Sequence, residues 1–135
     1  MPKYSGPERR KYKRVRVSLT VVFRKNAPPN VLIRDDEGEY NAVMIDIGEG
    51  GMAIHTAANI DIGTEIVILF SLLDTVGKMR EFYGNFKLTG KVTSNVNQGD
   101  DSYRLGIAFV TMDEQTKREI VNFVEVINSR SQDKP

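Results

Sequence analysis

The chain of 135 residues contains no cysteine and no tryptophan, and His55 is its single histidine. Without thiols there can be no disulfide, no zinc–thiolate centre and no cysteine nucleophile. One histidine cannot build a histidine metal cluster, and no Gly-x-Ser-x-Gly segment provides a nucleophile elbow. His55 sits in an expected strand with no motif around it, so a structural role is the reading there. No run approaches the roughly 20 apolar residues of a membrane helix. No apolar segment follows the basic N-terminus, as a secretory signal would require. The cytoplasm is the expected compartment. What remains, 40% hydrophobic and 27% charged residues, is the composition of one ordinary globular domain with a single core.

The net charge of +1 conceals an uneven distribution. Residues 1–16 hold seven Lys/Arg and one Glu, a balance of +6, whereas the remainder holds twelve against seventeen, or −5. A uniformly basic nucleic-acid binder does not look like this. The positive field is local, which fits a compact or phosphate-bearing partner.

Patterning divides the chain into short strands. Residues 1–8, with two prolines and a glycine, read as a flexible leader. Val15, Val17, Leu19, Val21 and Phe23 alternate with Arg16, Ser18, Thr20 and Arg24, the period of a half-buried strand. Further strands are expected at Tyr40–Ile47, Met52–Thr56, Glu65–Leu72, Asn85–Val96 and Ser102–Val110, and the short apolar Val31–Ile33 could start another. The nearly continuous apolar run Glu65–Leu72 reads as buried on both faces, and Thr75–Tyr83 as a loop or hairpin end. Asn97–Asp101 reads as a hairpin connection. Thr111 followed by Glu114 fits a capping box, and Ile120, Phe123, Val124 and Ile127 follow a helical stripe. Residues 129–135 read as a frayed tail. The expected fold is mainly β: an antiparallel barrel, closed or nearly so, with a C-terminal helix.

Two segments carry chemistry. In Glu8-Arg9-Arg10-Lys11-Tyr12-Lys13-Arg14-Val15-Arg16, six basic residues occupy nine positions. Arg10 and Arg14, four apart, share a face of either a helix or a strand. A guanidinium can grip phosphate bidentately, pair with guanine O6 and N7, or stack over a purine. A solvated tail is the competing reading of the same run. Asp46-Ile47-Gly48-Glu49-Gly50-Gly51 places a carboxylate at a strand end beside three glycines. A carboxylate can accept from guanine N1–H and the 2-amino group together. The glycines permit positive φ and close approach of a ligand to the main chain. A tight turn in which Asp46 bonds its own backbone is the competing reading. The acidic Asp35–Glu39 turn lacks the length and spacing of a calcium loop.

In order and placement the two segments resemble the PilZ domain, a bacterial receptor module for cyclic di-GMP. That family carries Arg-x-x-x-Arg, often with a further Arg before it, ahead of the first strand; here this is Arg9-Arg10-Lys11-Tyr12-Lys13-Arg14. Its second motif, Asp/Asn-x-Ser-x-x-Gly, corresponds to Asp46–Gly51, with Gly48 where the family usually has Ser. Tyr103–Phe109 and the helix after it are similar to the family's last strand and helix, so the likeness spans residues 8–127. The resemblance implies that Arg10 and Arg14 hold phosphates and guanine faces, that Asp46 reads a guanine edge and that Gly51 keeps the turn open. It also implies that Arg9 influences whether one cyclic di-GMP or an intercalated pair is bound, with a pair expected here. The missing hydroxyl at Gly48 removes one hydrogen bond, about 0.5–1.5 kcal/mol.

The resulting expectation is a non-catalytic cyclic di-GMP receptor or adaptor on a six-stranded antiparallel β-barrel with a C-terminal helix, without a cofactor. Its basic segment would order on the ligand and signal to an unidentified effector protein in motility or biofilm regulation. Two alternatives remain. One is a degenerate PilZ fold that binds no nucleotide and acts as a protein-interaction module, which Gly48 favours. The other is a small β-barrel that binds RNA or DNA, against which Phe23, Phe70 and Phe109 fall on expected inward faces rather than on an open stacking surface.

Overall fold

A computed structural model of the chain describes residues 14–26, 38–74 and 81–132. The expected leader, Arg9, Arg10, Tyr12, the Val31–Ile33 segment, most of the acidic turn before Glu39, residues 75–80 of the expected Thr75–Tyr83 loop and residues 133–135 lie outside the described residues.

Six strands follow in chain order: β1 Arg14–Lys25, β2 Tyr40–Gly48, β3 Gly51–Thr56, β4 Glu65–Asp74, β5 Glu81–Gly99 and β6 Ser102–Thr111. The helix α1, Glu114–Gln132, completes the described fold. All neighbouring strands are antiparallel, in the order β1-β2-β3-β6-β5-β4. β1 pairs with β4 as well as with β2, so the sheet closes into a barrel. The closing β1–β4 pairing covers Val21–Lys25 against Ile66–Phe70, so each described strand has a neighbour on both sides over part of its length.

The alternation in β1 carries through to packing. Val15, Val21 and Phe23 are buried and Val17 and Leu19 half-buried, while Arg16, Ser18, Thr20 and Arg24 are exposed. Met44, Ile47, Met52, Ile54, Ile66, Ile68, Leu105 and Ile107 fill the interior with them. Phe23 stacks on Tyr40 at 5.2 Å and Phe70 on Phe86 at 5.3 Å between ring centroids. Ile120, Phe123 and Val124 of α1 join the same cluster, and α1 lies against β1, β2 and β5.

A bulge at Ile45 decides which way β2 presents its polar end. Met44 pairs with Ile54 and Asp46 with Ala53, so one extra residue of β2 stands between two consecutive positions of β3. Met44 and Asp46 would share a face in a regular strand. The bulge turns Asp46 outward beside Ala53 and leaves Met44 and Ile47 fully buried.

Several boundaries differ from the sequence reading. β4 is buried on its outer face only in part: Ile66, Ile68, Phe70 and Leu72 point inward, and of the outward residues Val67 is buried whereas Leu69 is 39% exposed. An apolar run of this length does not distinguish one covered face from two. β5 begins at Glu81, four residues earlier than expected, and ends at Gly99. Its connection to β6 is therefore only Asp100-Asp101, both in left-handed backbone at φ 54° and 57°, the geometry of a two-residue primed hairpin turn. Thr111 belongs to β6 and does not cap the helix. Asp113 does, its Oδ1 accepting from the Thr116 backbone N–H at 2.7 Å. Helical backbone continues through Gln132, so Ser129–Gln132 belong to α1 rather than to a frayed tail.

Candidate functional site

The first described residue of β1 and the last residues of β2 are neighbours. Arg14 pairs with Gly48 and Arg16 with Asp46 across the β1–β2 ladder. The end of the basic run thus lies directly on the glycine-rich motif. Arg14 Nη1 donates to Asp46 Oδ1 at 3.2 Å. The second carboxylate oxygen is held too: Arg104 Nη2, on β6, lies 3.4 Å from Asp46 Oδ2. Asp46 is one of two buried polar residues among the described residues, at 7% exposure, and the Arg14 side chain is 23% exposed. Ion pairs this sheltered are screened less by salt than surface pairs.

These groups line one cleft of about 690 Å³, walled by Val15, Val17 and Ile45 and carrying Arg14, Arg16, Arg104 and Asp46. Its volume is that of a small-ligand pocket. Three guanidiniums face one carboxylate, so the cleft has a positive excess that a dianion would neutralise. The apolar walls reduce competition from water for the polar contacts.

Of the residues expected at the site, Arg14 and Asp46 are brought into contact. Gly48 is buried at the end of β2, opposite Arg14. Gly51 has a different reason for being glycine from the one expected. The described glycines in left-handed backbone are Gly63, Gly84 and Gly99, not those of the Asp46–Gly51 motif. A Cβ on Gly51 would lie 2.0 Å from the Ile107 carbonyl oxygen, so Gly51 lets β3 approach the backbone of β6. Arg9 and Arg10 fall outside the described residues. Glu49, in the same motif, is paired with Lys117 of α1 at 3.5 Å, tying the turn to the helix.

Arg16 and Arg104 were not among the expected site residues. Arg16 lies inside the basic run, two positions after Arg14. Arg104 alternates with the buried Leu105 and Ile107, which marks it as outward-facing. The contact of Arg104 with Asp46, 58 positions away, is a property of strand order. His55 is exposed on the same outer face, with Nε2 2.5 Å from Ser102 Oγ, and does not reach the cleft.

The PilZ domain model matches residues 8–126. The chain belongs to the PilZ domain family. No curated protein matches it. Solved structures of the same fold include the Bacillus subtilis inhibitor of motility MotI/DgrA, with a TM-score of 0.65 and 15% identity, covering 93% of this chain and 53% of that one. The PilZ domain of Escherichia coli YcgR with c-di-GMP has a TM-score of 0.61 and 16% identity over 92% of this chain and 95% of that one. The c-di-GMP complex of K. pneumonia MrkH has a TM-score of 0.64 and 14% identity over 94% of this chain and 55% of that one. This PilZ domain therefore spans about half the length of MotI/DgrA and MrkH. Among the described residues, no helix is long and apolar enough to cross a membrane.

Proposed function

We propose that this PilZ domain is a non-catalytic receptor for cyclic di-GMP. The observation that carries the reading is the contact of the two motifs. Asp46 stands at a cleft where arginines from β1 and β6 converge, with Arg14 on one carboxylate oxygen and Arg104 on the other. A carboxylate so placed can accept from guanine N1–H and its 2-amino group, while the guanidiniums of β1 meet the phosphates or stack on the purine. Adenine offers no such pair of donors. YcgR and MrkH, of the same fold, are seen with this ligand.

Arg9 and Arg10 would complete the phosphate contacts from the basic segment, and an intercalated ligand pair is the stoichiometry we favour. Ordering of that segment across the cleft would change the surface presented to an effector protein, the output residing in the partner. Calorimetric titration of cyclic di-GMP tests the reading. Saturable binding tighter than about 10 μM, near −7 kcal/mol, is expected, with two ligands per chain. Absence of heat and of thermal shift at millimolar ligand would overturn it. Gly48, in place of the family's usual Ser, favours that second outcome, a PilZ fold serving only protein interaction.

A further inference from the structure

We propose that Arg104 is a specificity-determining positioning residue, which holds the Asp46 carboxylate in the plane that reads guanine. The inference rests on the receptor reading above and deepens it. Arg104 pairs across the ladder with His55, whereas Asp46 pairs with Ala53. Their ion pair therefore crosses β3 diagonally, over a span of two strand spacings, about 10 Å. Only a long side chain on β6 meeting a short one on β2 closes that span. The position beneath must also be small. Ala53 lies there, on the face opposite Met52 and Ile54, with Gly106 next to it on β6. A larger side chain at Ala53 would stand in the path of Arg104.

The consequence is orientational. A carboxylate fixed at one oxygen rotates about its Cβ–Cγ bond, a broad and soft torsion. Asp46 is fixed at both, by Arg14 at Oδ1 and by Arg104 at Oδ2. The approach is from opposite flanks, β1 on one side and β6 beyond β3 on the other. Each carboxylate oxygen keeps a second lone pair for the ligand, so the two guanine donors meet two pre-aimed acceptors. Arg14 alone would leave the carboxylate free to satisfy one donor and miss the other. Arg104 thus acts through Asp46, and its signature is base discrimination rather than overall affinity.

The test compares cyclic di-GMP with its hypoxanthine analogue, which keeps N1–H and lacks the 2-amino group, in the wild-type 135-residue chain and in its Arg104→Gln and Arg104→Lys variants. The wild type is expected to prefer guanine by about tenfold or more, the worth of one hydrogen bond to a charged acceptor. Arg104→Gln should reduce that preference to under about threefold, and Arg104→Lys, which returns a point charge near Oδ2, should recover part of it. Thermal unfolding of each variant verifies the fold; Arg104 is 37% exposed, so both substitutions are tolerable there. Undiminished guanine preference in Arg104→Gln would overturn the role given to Arg104 while leaving the receptor reading intact. So would a wild type that binds both ligands equally. A wild type that binds neither overturns the receptor reading and this inference with it.

Discussion

At the scale of single residues, the site is a problem of charge compensation. A carboxylate at 7% exposure is stable only because guanidiniums meet both of its oxygens. Arg14 therefore has two tasks, holding Asp46 and contributing positive charge to the cleft. Arg14→Ala is expected to weaken cyclic di-GMP binding about 10- to 100-fold by calorimetry, the loss of one charge-assisted hydrogen bond or slightly more. Gly48 works in the opposite direction. Gly48→Ser restores a hydroxyl donor beside Arg14 and Asp46, and binding is expected to tighten about threefold to tenfold; unchanged affinity would mean that the hydroxyl meets no ligand atom. The sequence showed the Arg-rich run and the Asp46 motif because both are local in the chain. Arg104 could not be found that way. Its outward face was readable from the alternation with Leu105 and Ile107, but nothing local distinguishes it from any other exposed basic residue.

At the scale of elements, two glycine and capping details control how strands and helix meet. At Gly51 β3 packs against β6 with no room for a Cβ before the Ile107 carbonyl. Gly51→Ala must push the two strands apart and is expected to cost about 1–3 kcal/mol, or more if they cannot move; chemical denaturation measures it. The same shift would move Ala53 relative to Gly106 and loosen the Arg104–Asp46 pair, so ligand binding should fall along with stability. At the start of α1, Asp113 accepts from the Thr116 backbone N–H, with the Thr116 hydroxyl adding a second bond; both favour the charged form and hold its carboxyl below the usual range. With the folded pKa below the unfolded one, the cap's contribution is complete above about pH 3.9 and fades as pH falls through the lower folded value. Protection of the Thr116 amide, measured against its intrinsic exchange rate, should fall across that acid window in the wild type. Asp113→Asn keeps an acceptor without a titrating group, and its protection should lack that acid step. Thr111 mimicked a cap in the sequence because Thr-x-x-Glu fits the pattern. Pairing with Thr89 on β5 claims it for the sheet instead, and the cap moves two residues on.

At the scale of the whole molecule, closure makes barrel and helix one cooperative unit. Every strand has two neighbours, and Ile120, Phe123 and Val124 of α1 are buried in the same cluster as the barrel interior. Phe123, at 1% exposure, is the sharpest probe. Phe123→Ala is expected to cost about 3–5 kcal/mol, with helical and β signals lost in one transition by circular dichroism; separate transitions would show that α1 is merely docked. The architecture itself was legible in the chain: two-residue alternation in β1, turn residues between strands, and an apolar stripe after residue 113 are local patterns with one physical meaning each. The strand ends were less so, because β5 and β6 extend through ladder hydrogen bonds that no composition marks. What the amino-acid sequence by itself determined was the mainly β class, the helix, and the two motifs themselves, a basic run and a glycine-rich carboxylate segment, since each is a pattern among neighbours in the chain. What only the tertiary structure decided was that the Ile45 bulge turns Asp46 outward and that Arg104 reaches it over Ala53. Both depend on register between strands far apart in sequence, where a shift of one residue reverses every face.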